Sequence, residues 1–391
     1  MILNNIKGDK VIWAVVILLS IISILAVYSS ISTLAYKNGT GNQEMILIKH
    51  SITVLLGLAL MYMVHQVKYS YFSRISQLAF WISIPLLLLT LIMGTNLNDA
   101  SRWLVVPGLG VSFQTSDLAK LALIMYVARL LSKKQDQIKD FKTAFLPVMA
   151  PIIVICGLIL PANFSTAAVL FTTCLVLMFI GRVNIKYLLA LIGTGVILLS
   201  IFILIVINSS DQGRVGTWKN RIENFTENDD KSTSNYQVNQ AKIAIATGGV
   251  LGKGPGGSTQ RNFLPHPYSD FIYAFIIEEY GLLGGVAVIF LYILLLFRTI
   301  RIASKSTNPF GSFLALGCCF LLVFQAMINM AVSVNLIPVT GQPLPFISKG
   351  GTSVIFTGIA IGIILSVSRG SETEKENVKN IKQKGGELAA A

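Results

Sequence analysis

Apolar runs of about twenty residues, separated by short polar turns, recur along the chain from Val11 to Ser368. Crossing roughly 30 Å of hydrocarbon takes about 20 apolar residues in a helix. Spans of that kind fall at about 11–31, 45–65, 75–93, 115–131, 144–161, 164–181, 187–207, 270–297, 311–334 and 351–368. Lipid offers the backbone no hydrogen-bond partners, so runs of this length must be helical. The pattern predicts an all-α polytopic membrane protein of about ten transmembrane helices. The first run is too long for a cleaved leader and no small-x-small site follows it, which makes it an anchor.

The pattern breaks in two places. Residues 208–269 form one large polar segment between spans, and 370–391 form a charged tail. The tail is expected to be disordered, leaving 1–369 as a single transmembrane domain. In the long segment, 208–235 is polar and expected to be mobile, whereas 237–247 (QVNQAKIAIAT) reads as a short amphipathic helix at the interface. No internal repeat is visible.

Composition agrees with a membrane protein: 391 residues, 53% hydrophobic, with a mean hydropathy of +0.69. Charge orients the chain. Lys7, Lys10, Lys68, Arg74, Arg129, Lys133, Lys134, Lys139, Lys142, Arg182, Lys186, Arg298, Arg301 and Lys305 fall on one side, together with the basic tail. The opposite short loops hold Lys37, Arg102 and Lys349, with Lys49 at a span edge. Basic loops stay in the cytoplasm, so the N and C termini are cytoplasmic and 208–269 is extracytoplasmic. The net charge of +13 is explained this way, and no nucleic-acid partner is implied. Cys156, Cys174, Cys318 and Cys319 lie in apolar runs and read as core residues. His50, His65 and His266 lack metal-ligand spacing.

Polar residues at membrane depth are costly and mark cavities or partners. Asp117 and Lys120 are three apart at the start of the fourth span, on one helical face, where they can pair. They either sit at the span edge or line an outward cavity in which Lys120 meets an anion. Upstream, Arg102 is a candidate phosphate clamp, and Trp103 reads as an interfacial belt residue. Asn163 reads as a helix cap. Glu278 and Glu279 line the same cavity or make a bundle contact. GKGPGG at 252–257 matches neither a dinucleotide nor a Walker loop, because no strand precedes it and no Ser or Thr follows its lysine. No nucleotide cofactor is expected, and the glycines read as an irregular turn bringing backbone near a ligand. The stretch 340–353, TGQPLPFISKGGTS, reads as a re-entrant loop lining a cavity. Asp270 stands where the long outer segment turns into a span, and its local sequence suits a helix N-cap.

Three blocks in order, ASRWL…FQTSDLAKLAL, the segment from Tyr236 to Gly281, and PLPFISKGGTS, resemble the SEDS family of bacterial shape, elongation, division and sporulation proteins. The resemblance spans nearly the whole chain and is nearer to the division branch than to the elongation branch. It implies a peptidoglycan glycosyltransferase that polymerises lipid II in the bacterial cytoplasmic (inner) membrane, at the division septum. Its implied partners are a class B penicillin-binding transpeptidase and other divisome proteins. It places the essential outer-loop aspartate on Asp270 and the intramembrane lysine on Lys120. Asp117, Arg102, Gln237, Gln260 and Ser348 lie in the matching blocks as candidate substrate-binding residues. The chain departs from the family pattern at Asp117 (usually Glu), Asn163 (commonly acidic), His266 and Tyr268 (usually Glu and His), and Lys349 (commonly aromatic).

The chemistry is consistent with one carboxylate. A lipid diphosphate leaves as a stable anion, so the reaction needs charge neutralisation more than protonation, plus one base for the attacking 4-hydroxyl. Asp270 is the candidate base. Lys120, Arg102 or a divalent cation (Mg or Mn) held partly by carboxylates would neutralise the diphosphate. Displacement inverts an α-linked donor into a β-linked chain. Two readings compete: a transporter that flips lipid-linked precursors, and a non-catalytic scaffold for wall assembly.

Overall fold

The computed structural model describes residues 7–31, 43–97, 100–105, 112–207, 216, 233–263 and 269–390. Eleven helices are described, ten of them at the predicted spans. These are α1 (Lys10–Ile31), α2 (Gln43–Gln66), α3 (Tyr69–Met93), α4 (Thr115–Lys133), α5 (Leu146–Ile159), α6 (Phe164–Ile180), α7 (Ile185–Ile207), α8 (Thr233–Gly248), α9 (Ile272–Lys305), α10 (Pro309–Ser333) and α11 (Thr352–Ala390). The extra helix, α8, is the short one expected at 237–247.

Among the described residues, seven spans are long and apolar enough on their own to cross a membrane, and α6 is a shorter apolar helix. The tenth, α4, carries Asp117, Lys120, Arg129 and Lys133, and most of its residues are buried within the bundle. Protein neighbours rather than lipid surround the buried Asp117 and Lys120, which is how a polar helix persists at membrane depth, while Lys133 is exposed at the helix end. The α2–α11 pair packs backbone to backbone. A Cβ on Gly358 would lie 2.3 Å from the Gly57 carbonyl oxygen, and one on Gly362 would lie 2.7 Å from that of Met61. Such close contact is possible only with glycine.

Both chain ends meet at one face. The Gly8 amide donates to Glu372 Oε2 at 3.1 Å, and Arg298 Nε donates to Asp9 Oδ2 at 2.9 Å. That face carries the basic loops, which assigns it to the cytoplasm.

Three features differ from the sequence expectations. Three short strands, β1 (Thr95–Leu97), β2 (Ala100–Val105) and β3 (Ser112–Gln114), form a small antiparallel sheet, an exception to the helices that make up the other regular elements among the described residues. Each strand is too short for alternation to stand out. The last helix continues to Ala390 in place of a disordered tail. Residues 371–384 are rich in Glu, Lys and Gln, which favour helix, and offer Glu–Lys pairs three apart at 372/375 and 376/379. Finally, α9 is broken at Gly281, whose φ of 69° and ψ of −172° lie outside the helical region. The expected mobile segment 208–235 lies almost entirely outside the described residues.

Candidate functional site

A cavity of about 320 Å³ opens near the outer end of the bundle, lined by Trp103, Gln114, Asp117, Lys120, Asn163, Ser269, Asp270, Gln325, Gly341–Pro343, Lys349–Gly351 and Ser353. Its size is at the lower end of ligand pockets, roughly 300–1,000 Å³. Asp270, Lys120 and the 340–353 loop, distant in sequence, converge on it.

Each wall follows from local structure. On α4, Asp117 Oδ1 and Lys120 Nζ pair at 2.8 Å, with side-chain exposures of 4% and 8%. Asp117 Oδ2 is buried without a hydrogen-bond partner. The sheet places Trp103 opposite Gln114 in register, and both reach the cavity. Trp103 therefore lines a polar cavity, contrary to its reading as a belt residue. Arg102 lies beside it on β2; its side chain is outside the described residues. Asn163 caps α6 as expected, accepting from the Thr166 amide at 3.2 Å, and it lines the cavity as well.

Asp270 stands one residue before the cap position of α9. The cap position falls on Phe271, with no side-chain cap bond, while Ser269 Oγ donates to Asp270 Oδ1 at 3.0 Å. Asn329 on α10 holds the backbone at this point. Its Nδ2 donates to the Asp270 carbonyl at 2.9 Å and to the Gln342 carbonyl at 2.7 Å.

The 340–353 loop is irregular backbone held from several sides. Gln325 Nε2 donates to the Pro343 carbonyl at 2.9 Å, and Gln342 Nε2 donates to Thr166 Oγ1 at 2.6 Å. Ser23 Oγ donates to the Ile347 carbonyl at 2.8 Å, and the Tyr292 hydroxyl donates to that of Pro345. Phe346 is buried with φ of +65°, a costly conformation for a bulky side chain. The surrounding hydrogen bonds hold the loop in that state. Burial and, secondarily, Lys49 lower the Lys349 pKa below the ordinary lysine value.

Ser348, a candidate substrate-binding residue, ties two walls together. It accepts from the Leu344 amide at 2.8 Å and donates to the Ser269 carbonyl at 2.7 Å. Gln237 on α8 and Gln260 do not line the cavity; Gln260 lies in a short 3-10 turn, Gln260–Asn262. The glycine loop also has a different neighbour from the one expected. It packs on the break in α9, where a Cβ on Gly252 would lie 2.2 Å from the Glu279 carbonyl oxygen. Glu278 is fully buried beneath this loop. It accepts from Lys253 Nζ at 2.6 Å, from the Thr259 amide at 3.0 Å and from Ser258 Oγ. Glu279 accepts from Ser29 Oγ on α1. Both glutamates thus make bundle contacts and leave the cavity to Asp270.

Sequence reasoning missed Gln325 and Asn329 as members of the site. The available signal was two amide side chains four apart on one face of an otherwise apolar span.

Comparison with known proteins agrees with this architecture. Residues 9–373 match a family model described as "Cell cycle protein", covering FtsW, RodA and SpoVE. A relative from Trichlorobacter lovleyi, named "Probable peptidoglycan glycosyltransferase FtsW", is 33% identical over 367 residues, covering 93% of each chain. Stage V sporulation protein E of Bacillus subtilis is 36% identical over 324 residues, covering 80% of this chain and 84% of that protein. Among solved structures, a chain from a study titled "Structural coordination of polymerization and crosslinking by a peptidoglycan synthase complex" superposes with a TM-score of 0.74 at 24% identity, covering 93% of this chain and 98% of that one. RodA of Thermus thermophilus superposes with a TM-score of 0.68 at 23% identity, covering 94% and 98%. The fold is shared, and the chain is a multi-pass membrane protein belonging to the FtsW, RodA and SpoVE family of cell cycle proteins.

Proposed function

We propose that this chain is a peptidoglycan glycosyltransferase that polymerises lipid II into glycan strands for the division septum, working in the bacterial cytoplasmic membrane. The observation that carries the reading is the meeting of Asp270 and Lys120 in one cavity at the outer end of the bundle, where an extracytoplasmic lipid-linked sugar would arrive. The names of the relatives support the reaction and favour the division branch. The synthase complex among the structural neighbours supports a class B penicillin-binding transpeptidase as partner, with other divisome proteins around it.

In this reading Asp270 takes the proton of the attacking 4-hydroxyl as that oxygen bonds to the anomeric carbon of the donor. The bond from that carbon to the diphosphate oxygen breaks, and the lipid diphosphate leaves with the electron pair. Attack from the opposite face inverts the anomeric centre. Because the leaving group is already a stable anion, one carboxylate suffices where a glycosidase needs two. Lys120 stands at the cavity wall, and its ammonium, held by Asp117, meets the negative charge that builds on the diphosphate.

Among the described residues no three His, Cys, Asp or Glu side chains stand together as a metal site. Magnesium is commonly held by one or two carboxylates together with substrate phosphates, and Asp270 and Asp117 are the two that line the cavity. A cation bound there would add charge neutralisation; Asp270 and Lys120 have their roles without it.

The purified full chain, supplied with its transpeptidase partner and lipid II, should produce glycan polymer. Flipping of labelled lipid II in liposomes without polymer would support the transporter reading instead. The polar residues gather at one face and not at the bilayer midplane, where transporters bind substrate, which favours the polymerase.

A further inference from the structure

Lys349 belongs to the anion site and has no counterpart in the residues assigned above. It lines the same cavity as Lys120 and Asp270. The hydrogen bond from Ser348 Oγ to the Ser269 carbonyl, 2.7 Å long, joins the two chain segments one residue before Lys349 and one residue before Asp270. That bond fixes the backbone just ahead of the cation against the backbone just ahead of the base.

The loop beneath Lys349 is a rigid platform. It is tied to α1 through Ser23, to α9 through Tyr292, to α10 through Gln325 and to α6 through Thr166. A preorganised charge of this kind stabilises developing negative charge without reorganisation at the moment of reaction. The described cavity wall carries four ionisable side chains, Asp117, Lys120, Asp270 and Lys349. Asp117 pairs with Lys120 at 2.8 Å, and a dianionic group has a second charge that a second cation on the same wall can meet.

We propose that Lys349 is a substrate-binding residue that acts with Lys120 as a two-lysine clamp on the diphosphate of the lipid-linked sugar. The inference rests on the glycosyltransferase reading for the identity of the substrate. Its test reads binding, so the two can fail separately.

The full-length protein in detergent is titrated with farnesyl diphosphate and with farnesyl monophosphate at fixed magnesium, following the fluorescence of the four tryptophans, of which Trp103 lines the cavity. Wild type should bind the diphosphate at least tenfold more tightly than the monophosphate. Lys349→Met and Lys349→Tyr should lose that margin with an unchanged thermal midpoint, and Lys349→Arg should keep most of it. Tyrosine is a second uncharged replacement of similar length, giving a folded variant if methionine is not tolerated. Asp270→Ala should make no polymer, whatever its diphosphate affinity. An unchanged margin in both Lys349→Met and Lys349→Tyr overturns the clamp. Polymer from Asp270→Ala would overturn the catalytic reading and leave the binding result standing.

Discussion

The amide of Asn329 donates to two carbonyls, those of Asp270 and Gln342, and so holds the start of α9 against the 340–353 loop. Asn329→Leu keeps the volume and removes both donors. Each buried carbonyl left without a donor costs about 1–3 kcal/mol. The variant should show a lower thermal midpoint and a fall in kcat that exceeds any change in KM, measured on lipid II in parallel with wild type. Lys349 gives a pH signature. Its pKa is lowered by burial and then by Lys49, so the ammonium loses its proton at lower pH than a surface lysine. Diphosphate affinity should decline on the alkaline side, below the ordinary lysine value of 10.5, and Lys349→Arg should remove that limb. Asp117, Lys120 and Asp270 share the cavity, and His50 and Lys49 lie nearby, so Lys349→Arg is the control that assigns the limb to one group. Stability of the free protein moves in the opposite sense. The unfolded chain binds the Lys349 proton more tightly, so raising pH between the two values favours the native state. At this scale the sequence showed the charged pair on α4 and the aspartate at the membrane edge. Asn329 escaped notice because its partners are backbone carbonyls remote in sequence, and Trp103 because a belt and a cavity mouth both lie at the interface.

Helix α9 is organised by its break. The glycine loop at 248–257 lies against the Gly281 kink, and Glu278 gathers Lys253, Ser258 and Thr259 beneath it. Two glycines of this loop separate steric from conformational need. Gly252 has φ of +82° and its Cβ would meet the Glu279 carbonyl oxygen at 2.2 Å, whereas Gly254 has φ of +90° with nothing within 4 Å. Gly254→Ala should cost only the backbone strain, about 1–2 kcal/mol. Gly252→Ala should cost clearly more, because backbone must move, and thermal unfolding of the two variants in detergent measures the difference. The sequence announced this loop by its glycines but not its neighbour. A close backbone approach is readable from composition; whether a ligand or the chain's own helix makes it is not. The ten spans were legible because lipid enforces length and apolarity at once. The sheet at 95–114 was not, since strands of three to six residues give alternation little room.

Across the whole molecule, the two ends of the bundle have different tasks. At the cytoplasmic end Gly8, Asp9, Arg298 and Glu372 tie α1, α9 and α11 together. At the outer end α4, α9, α10 and the 340–353 loop enclose the cavity. The basic residues on one side of the spans gave the orientation before any contact was known. The convergence of residues 120, 270 and 349 could not be read the same way, because it depends on which helices pack together. The role of Asp270 is the point on which the mechanism stands. The cap position of α9 falls on Phe271, and even a lost cap bond costs only about 1 kcal/mol, so replacing Asp270 should leave the fold intact. The direct measurement is glycan polymerisation from lipid II by purified Asp270→Ala beside wild type, each with the transpeptidase partner and each checked for an unchanged thermal midpoint. The mechanism predicts polymer from wild type and none from Asp270→Ala; polymer formed by the folded variant at the wild-type rate would contradict it.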